Sequence, residues 1–165
     1  MKISGLLQDS IVDGPGLRFV VYTQGCEFAC KNCHNPATWD INKGEEISTD
    51  EIIKQMLKNP LTDGLSISGG EPLMQAEECV KLAEAAKEIG LNVWLFTGYN
   101  FNELIELKSK KPKVNKLLQL TDVLVDGRYI DSERSLSLKW RGSRNQRVLD
   151  VQKSLAIGQP IELDE

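Results

Sequence analysis

From Leu17 onward the chain alternates two kinds of segment. Short runs rich in β-branched and aromatic residues, Leu17 to Thr23 (LRFVVYT), Gly64 to Ser68 (GLSIS), Leu91 to Thr97 (LNVWLFT) and Asp122 to Asp126 (DVLVD), each lead into a loop that carries glycine or cysteine. Between them lie segments whose apolar residues recur at helical spacing. Strands separated by helices return to one sheet as parallel neighbours joined by crossovers, so the alternation predicts an α/β fold. A closed eight-stranded barrel needs about 200 residues or more. With 165 residues, the expectation is one domain, 1–165, built as a partial, incomplete TIM-like barrel or a curved, mostly parallel sheet with crossover helices.

The helices are punctuated by recognisable chemistry. Ser48 stands three residues before Glu51, a capping-box pattern, and Ile52, Ile53, Met56 and Leu57 follow at helical spacing until Asn59-Pro60 stops them. Pro72 suits a first helical turn, and Leu73, Ala76, Cys79, Val80, Ala83, Ala86 and Ile89 form one apolar stripe ending at Gly90. Cys79 lies on that stripe and is expected as a buried thiol. Asn100 with Glu103 opens a further helix, and a short one is expected from Pro112 to Leu120. Residues 3–12 show only weak alternation before the turn Asp13-Gly14-Pro15-Gly16. Residues 129–146 are loop-like, 146–151 suggest one more strand, and the tail carries no pattern.

Composition narrows the function. An apolar content of 41% with 27% charge is that of an ordinary globular core. No run approaches the ~18 apolar residues of a membrane span, and the first residues lack a signal-peptide pattern, so a cytoplasmic protein is expected. The net charge of -4 argues against generic nucleic-acid binding. Between Arg128 and Lys153, however, seven basic residues face three acidic ones, which marks either a solvated face or a docking surface.

Cys26, Cys30 and Cys33 fall within eight residues of the loop after Thr23. In a reducing compartment such a cluster points to metal ligation or redox chemistry rather than disulfides. Zinc would need a fourth ligand, and the neighbouring residue His34 is poorly placed to reach the same ion. Cys30 to His34 also spells a haem-attachment pattern, which leaves Cys26 without a role. A 4Fe-4S cluster, held by three thiolates with one iron open to a substrate, fits the spacing best, with zinc the main alternative.

Cys26-x3-Cys30-x2-Cys33 after a strand, with Ser68-Gly69-Gly70-Glu71-Pro72 after the next, resembles the radical S-adenosylmethionine superfamily. His34-Asn35-Pro36, Asp13-Gly14-Pro15-Gly16, Thr97-Gly98-Tyr99, Asp126-Gly127-Arg128-Tyr129 and Arg141-Gly142-Ser143 are similar to its glycyl-radical-enzyme activases. The resemblance implies a single radical S-adenosylmethionine domain with Cys26, Cys30 and Cys33 as cluster ligands. It also implies an S-adenosylmethionine site drawing on Ser68, Gly69, Gly70, Glu71, Thr97 and Asp126. Asn32 occupies the place where many members carry an aromatic residue near the adenine. The implied partners are an anaerobic ribonucleotide reductase, or another glycyl-radical enzyme, and an electron donor such as a flavodoxin or a reductase; a homodimer is admitted. His34 is expected to pack near the cluster rather than to transfer protons. A non-enzymatic, zinc-held interaction module is the contrasting alternative.

Overall fold

The computed structural model describes residues 1–33 and 35–163. Its centre is a seven-stranded sheet in the order β3-β1-β2-β4-β5-β6-β7. The strands are β1 (Lys2–Ser10), β2 (Arg18–Thr23), β3 (Glu45–Glu46), β4 (Gly64–Gly69), β5 (Asn92–Phe96), β6 (Val123–Asp126) and β7 (Arg147–Asp150). Strands β2, β4, β5 and β6 are parallel, whereas β1, β3 and β7 run antiparallel to their neighbours. The sheet does not close into a barrel, in line with the chain length.

Five helices accompany it: α1 (Thr49–Met56), α2 (Ala76–Glu88), α3 (Phe101–Lys110), α4 (Pro112–Leu120) and α5 (Val151–Ile157). The expected N-caps are in place, the Ser48–Glu51 box on its Ser48 side alone. Ser48 Oγ accepts from Glu51 N–H at 3.1 Å, and Asn100 with Glu103 forms a reciprocal capping box. Three elements went unread in the sequence: β1, α5 and β3, whose two residues are too few to carry a pattern. The pairing of β1 with β2 shifts register between Ile3 and Gly5 and between Leu7 and Ser10, and each shift breaks the two-residue period that would reveal a strand. Helix α5 is seven residues long, started by Asp150, whose carboxylate accepts from Lys153 N–H, and ended by Gly158 in the left-handed conformation.

The strand register divides the sheet into two unlike faces. Phe19, Val21, Leu65, Ile67, Val93, Leu95, Leu124 and Leu149 pack with Ile52, Met56, Leu82, Ala83, Leu104 and Leu117 from the helices in the main core. Cys79 belongs to this core, with no exposed surface, and burial pushes its thiol pKa upward. Among the described residues no helix contributes to the cluster on the opposite face, which consists of Trp94, Val123, Val125 and Val148 with Phe96, Trp140 and Leu163 packed on it. Arg18 fills the amino-terminal end of this face. Its fully buried guanidinium donates to Ser66 Oγ, Pro15 O and Leu65 O at 2.7, 3.0 and 3.0 Å and lies over the Trp94 ring. Burial lowers its pKa to about 10, which leaves it charged at neutral pH.

Candidate functional site

The carboxyl ends of the parallel strands gather the loops that the sequence singled out, as expected for ligand sites in parallel α/β sheets. After β2, two backbone bonds close the base of the cysteine loop: Gly25 N–H to Thr38 O at 2.6 Å and Cys26 N–H to Trp39 O at 3.1 Å. Gln24 Nε2 donates to Ala37 O and Asp40 O, both at 2.8 Å, and binds the returning chain. Inside the loop Ala29 and Asn32 have φ of +46° and +57°, in the left-handed region that costs L-residues roughly 1–2 kcal/mol. Each stands immediately before a cysteine. The chain therefore turns sharply at Cys30 and again at Cys33, and Cys33 N–H donates to Cys30 O at 3.1 Å.

All three thiols are free and half-buried. Burial raises the Cys26 pKa, while hydrogen bonds from the Phe28 and Ala29 N–H groups oppose that effect by favouring the thiolate. Amide N–H groups directed at a cysteine sulfur, on a loop with two more thiols and one open side, suit an iron–sulfur cluster. Among the described residues, no three His, Cys, Asp or Glu side chains are disposed as ligands of a single metal ion. His34 lies outside the described residues.

The loop after β4 meets the cysteine loop backbone to backbone. Gly70 N–H donates to Thr23 O at 2.9 Å and Glu71 N–H to Gly25 O at 2.7 Å. A Cβ on Gly70 would stand 2.3 Å from Gly25 O, and one on Gly69, where φ is +103°, would stand 2.3 Å from Thr23 N. The glycine pair is thus required for the close approach of the two loops, whatever else lies against it. Ser68 pairs with Tyr22 across the β2–β4 ladder, and its carbonyl accepts from Thr23 Oγ1.

Glu71 has no exposed surface. Thr97 Oγ1 donates to both of its carboxylate oxygens at 2.8 and 2.9 Å, Gly98 N–H to one at 2.7 Å and Leu73 N–H to the other at 3.0 Å. Burial raises its pKa to about 7 against these favourable bonds. Glu71 and Thr97 therefore form a tie between the β4 and β5 loops, with Glu71 close enough to act electrostatically on Cys26.

Asp126 is also buried. It receives Phe101 N–H at 2.9 Å and an Arg147 ion pair at 2.6 Å, and it borders a cleft of about 320 Å³ with Asn100, Gly127, Arg128, Asn145 and Arg147. Asn32 donates from Nδ2 to Asp131 at 2.9 Å, a bond from the cysteine loop to the segment after β6.

Phe28, an alternative to Asn32 for the adenine contact by the family resemblance, and Arg128, the first residue of the basic stretch, meet at this edge with Glu27 and Tyr99, to whose side chains the sequence assigned no role. The Tyr99 hydroxyl hydrogen-bonds the Glu27 carboxylate, and the Tyr99 ring meets Phe28 edge-on at 4.8 Å. The Arg128 guanidinium, held by Glu103, lies over the Phe28 ring. Gly98 offered the one available signal, since only a residue without a side chain admits the Phe28 ring at that place: a Cβ would come within 2.6 Å of it. Of the seven basic residues between Arg128 and Lys153, Arg128 and Arg147 are paired with carboxylates. Arg134, Lys139, Arg144 and Lys153 are exposed.

A half-open α/β sheet that presents three cysteines at its strand ends defines an α/β protein with a candidate iron–sulfur site. Comparison with known proteins gives that class a family. Residues 12–149 match the model of the 4Fe-4S single cluster domain. The anaerobic ribonucleoside-triphosphate reductase-activating protein of Escherichia coli is 34% identical over 148 residues, covering 84% of this chain and 91% of that protein. Its counterpart in Haemophilus influenzae is 33% identical over 148 residues, covering 84% and 90%. The pyruvate formate-lyase-activating enzyme of Staphylococcus aureus is 35% identical over 158 residues, covering 91% of this chain and 61% of that enzyme. The chain belongs to the 4Fe-4S single cluster family and, within it, to the glycyl-radical-enzyme activases that include the anaerobic ribonucleoside-triphosphate reductase-activating proteins. No helix among the described residues is long and apolar enough to cross a membrane.

Proposed function

We propose that this single-domain protein is a cytoplasmic activase that installs the glycyl radical on an anaerobic ribonucleotide reductase, with Cys26, Cys30 and Cys33 as the three ligands of its 4Fe-4S cluster. The observation that carries the reading is the doubly turned cysteine loop, closed at its base and packed against the Gly69-Gly70-Glu71 loop at the strand ends. A cluster held by these three thiolates would supply one-electron reduction of S-adenosylmethionine, the chemistry by which a hydrogen would be taken from the Cα of a glycine in the partner.

The chain's own residues supply position and surroundings. Ser68, Gly69 and Gly70 border the methionine part of S-adenosylmethionine, and the Glu71–Thr97 tie fixes that border relative to the cysteine loop. Asn32, with its amide carbonyl beside the Asp131 bond, replaces the aromatic neighbour of the adenine. Asp126, with its charge offset by Arg147, holds the β6 loop at the edge of the site. The face whose cluster draws on no helix leaves a side through which a segment of the partner reaches the cofactor. The electron comes from a small donor of the flavodoxin or reductase kind.

A second partner, a pyruvate formate-lyase, is favoured by the 35% identity to its activating enzyme across 91% of this chain. Incubating the reconstituted, reduced protein and S-adenosylmethionine with each candidate enzyme separates the two. A glycyl radical seen by electron paramagnetic resonance on the ribonucleotide reductase supports the main reading, and one formed only on pyruvate formate-lyase overturns it.

A further inference from the structure

Phe28 sits at the middle of the three-residue span between Cys26 and Cys30, so its position governs the path between two of the three thiols. Three groups pack against its ring. A Cβ on Gly98 would come within 2.6 Å of it, the Tyr99 ring meets it edge-on at 4.8 Å, and the Arg128 guanidinium carbon lies 4.5 Å from its centroid.

Arg128 is itself fixed. Nη1 and Nη2 donate to the two Glu103 oxygens at 3.1 and 3.0 Å, and Glu103 is the third residue of α3, anchored by its capping box with Asn100. A planar, bidentate guanidinium leaves its face free to stack while its edge is occupied, a geometry that lysine cannot reproduce. The Glu103 bond raises the Arg128 pKa first and foremost, and Cys30 also contributes, which places the guanidinium charge within electrostatic reach of that sulfur.

We infer that Arg128 is a positioning residue of the cysteine loop: it clamps Phe28 from the β6 side and sets a permanent positive charge over the Cys26–Cys30 span, two residues from Cys30. The two effects have separate consequences. The clamp orders the Cys26–Cys30 span before any metal arrives, and a stacked cation at a partly exposed site is enough to change local opening about two- to fivefold. The charge favours the more negative, reduced form of a cluster held there, because reduction potentials follow net charge around the cluster. This second consequence rests on the cluster reading given above; the first does not.

The variants Arg128→Gln, Arg128→Lys and Phe28→Leu test both. In the metal-free, thiol-reduced chain, amide hydrogen exchange at Phe28 and Ala29 should speed up about two- to fivefold in Arg128→Gln and in Phe28→Leu. In the reconstituted protein, a redox titration followed by electron paramagnetic resonance should give a more negative midpoint potential for Arg128→Gln. Arg128→Lys should return the potential toward that of the parent without returning the slow exchange. Parent-like exchange and parent-like potential in Arg128→Gln would overturn the inference, as would equal potential shifts in the Gln and Lys variants. If the parent assembles no cluster, the functional reading fails and the exchange rates alone decide the clamp.

Discussion

Replacing Glu71 by glutamine should remove a fall in stability of roughly 2–3 kcal/mol between pH 5 and 8. Glu71 is wholly buried, and burial raises its pKa from 4.5 to about 7 although Thr97, Gly98 and Leu73 all donate to it. Folding therefore draws a proton onto this carboxyl between the two values. The associated stability is fully present below pH 4.5 and is lost as the pH rises through about 7. At 1.36 kcal/mol per pKa unit the whole effect is roughly 3 kcal/mol, of which roughly 2–3 kcal/mol falls between pH 5 and 8.

Glutamine keeps the size and one acceptor oxygen but cannot titrate, so the stability of the parent relative to Glu71→Gln should fall by that amount across the range. Groups common to both proteins cancel in the difference. Urea denaturation of the metal-free, thiol-reduced proteins at intervals of pH gives the quantity directly. A difference that stays flat from pH 5 to 8 would show that the four hydrogen bonds outweigh burial and that Glu71 is charged throughout.

Gly70→Ala puts a methyl group 2.3 Å from Gly25 O, so it should cost on the order of 1–3 kcal/mol and reduce iron incorporation, measured as iron per chain after anaerobic reconstitution. Cys79→Ser buries a hydroxyl in the apolar core and should cost roughly 1–3 kcal/mol while leaving iron per chain unchanged; loss of iron would make Cys79 a ligand. Reversing the exposed Arg134 and Arg144 to Glu should weaken activation of the reductase severalfold and leave cleavage of S-adenosylmethionine intact, tested by comparing glycyl-radical yield with 5'-deoxyadenosine yield. Salt should weaken activation in the same sense if this basic surface docks an acidic partner.

The parts of the fold that the sequence disclosed are those governed by local rules. Strands β2, β4, β5 and β6 are short, apolar and followed by glycine or cysteine loops, and α1 to α4 carry an apolar stripe, mostly with a cap of named chemistry. Strand β1 escaped because two register shifts spoil its alternation, and α5 because seven residues hold too few turns to show a period.

The site divides in the same way. Cysteine spacing and the glycine pair are visible in one dimension. The packing around Phe28 depends on Gly98 and Arg128, seventy and one hundred residues further along, and no local pattern joins them. Glu71 is the instructive case. Its place beside the glycines marked it for the cofactor, and the fold adds a role that no local pattern shows: the Thr97 hydroxyl, shared between its two oxygens, and Gly98 N–H join the β4 and β5 loops through it, while Leu73 N–H caps the turn that follows.

The central claim is that Cys26, Cys30 and Cys33 hold a cluster whose open iron serves S-adenosylmethionine, and a single anaerobic experiment addresses it. The parent and the three Cys→Ala variants are reconstituted with iron and sulfide, reduced, and given S-adenosylmethionine, and 5'-deoxyadenosine is measured against bound iron. The parent should bind about four irons per chain and release 5'-deoxyadenosine only when reduced, and each of the three variants should lose both iron and product together. A parent that binds zinc and no iron, or a Cys30→Ala protein that keeps its iron and its product, would contradict the account.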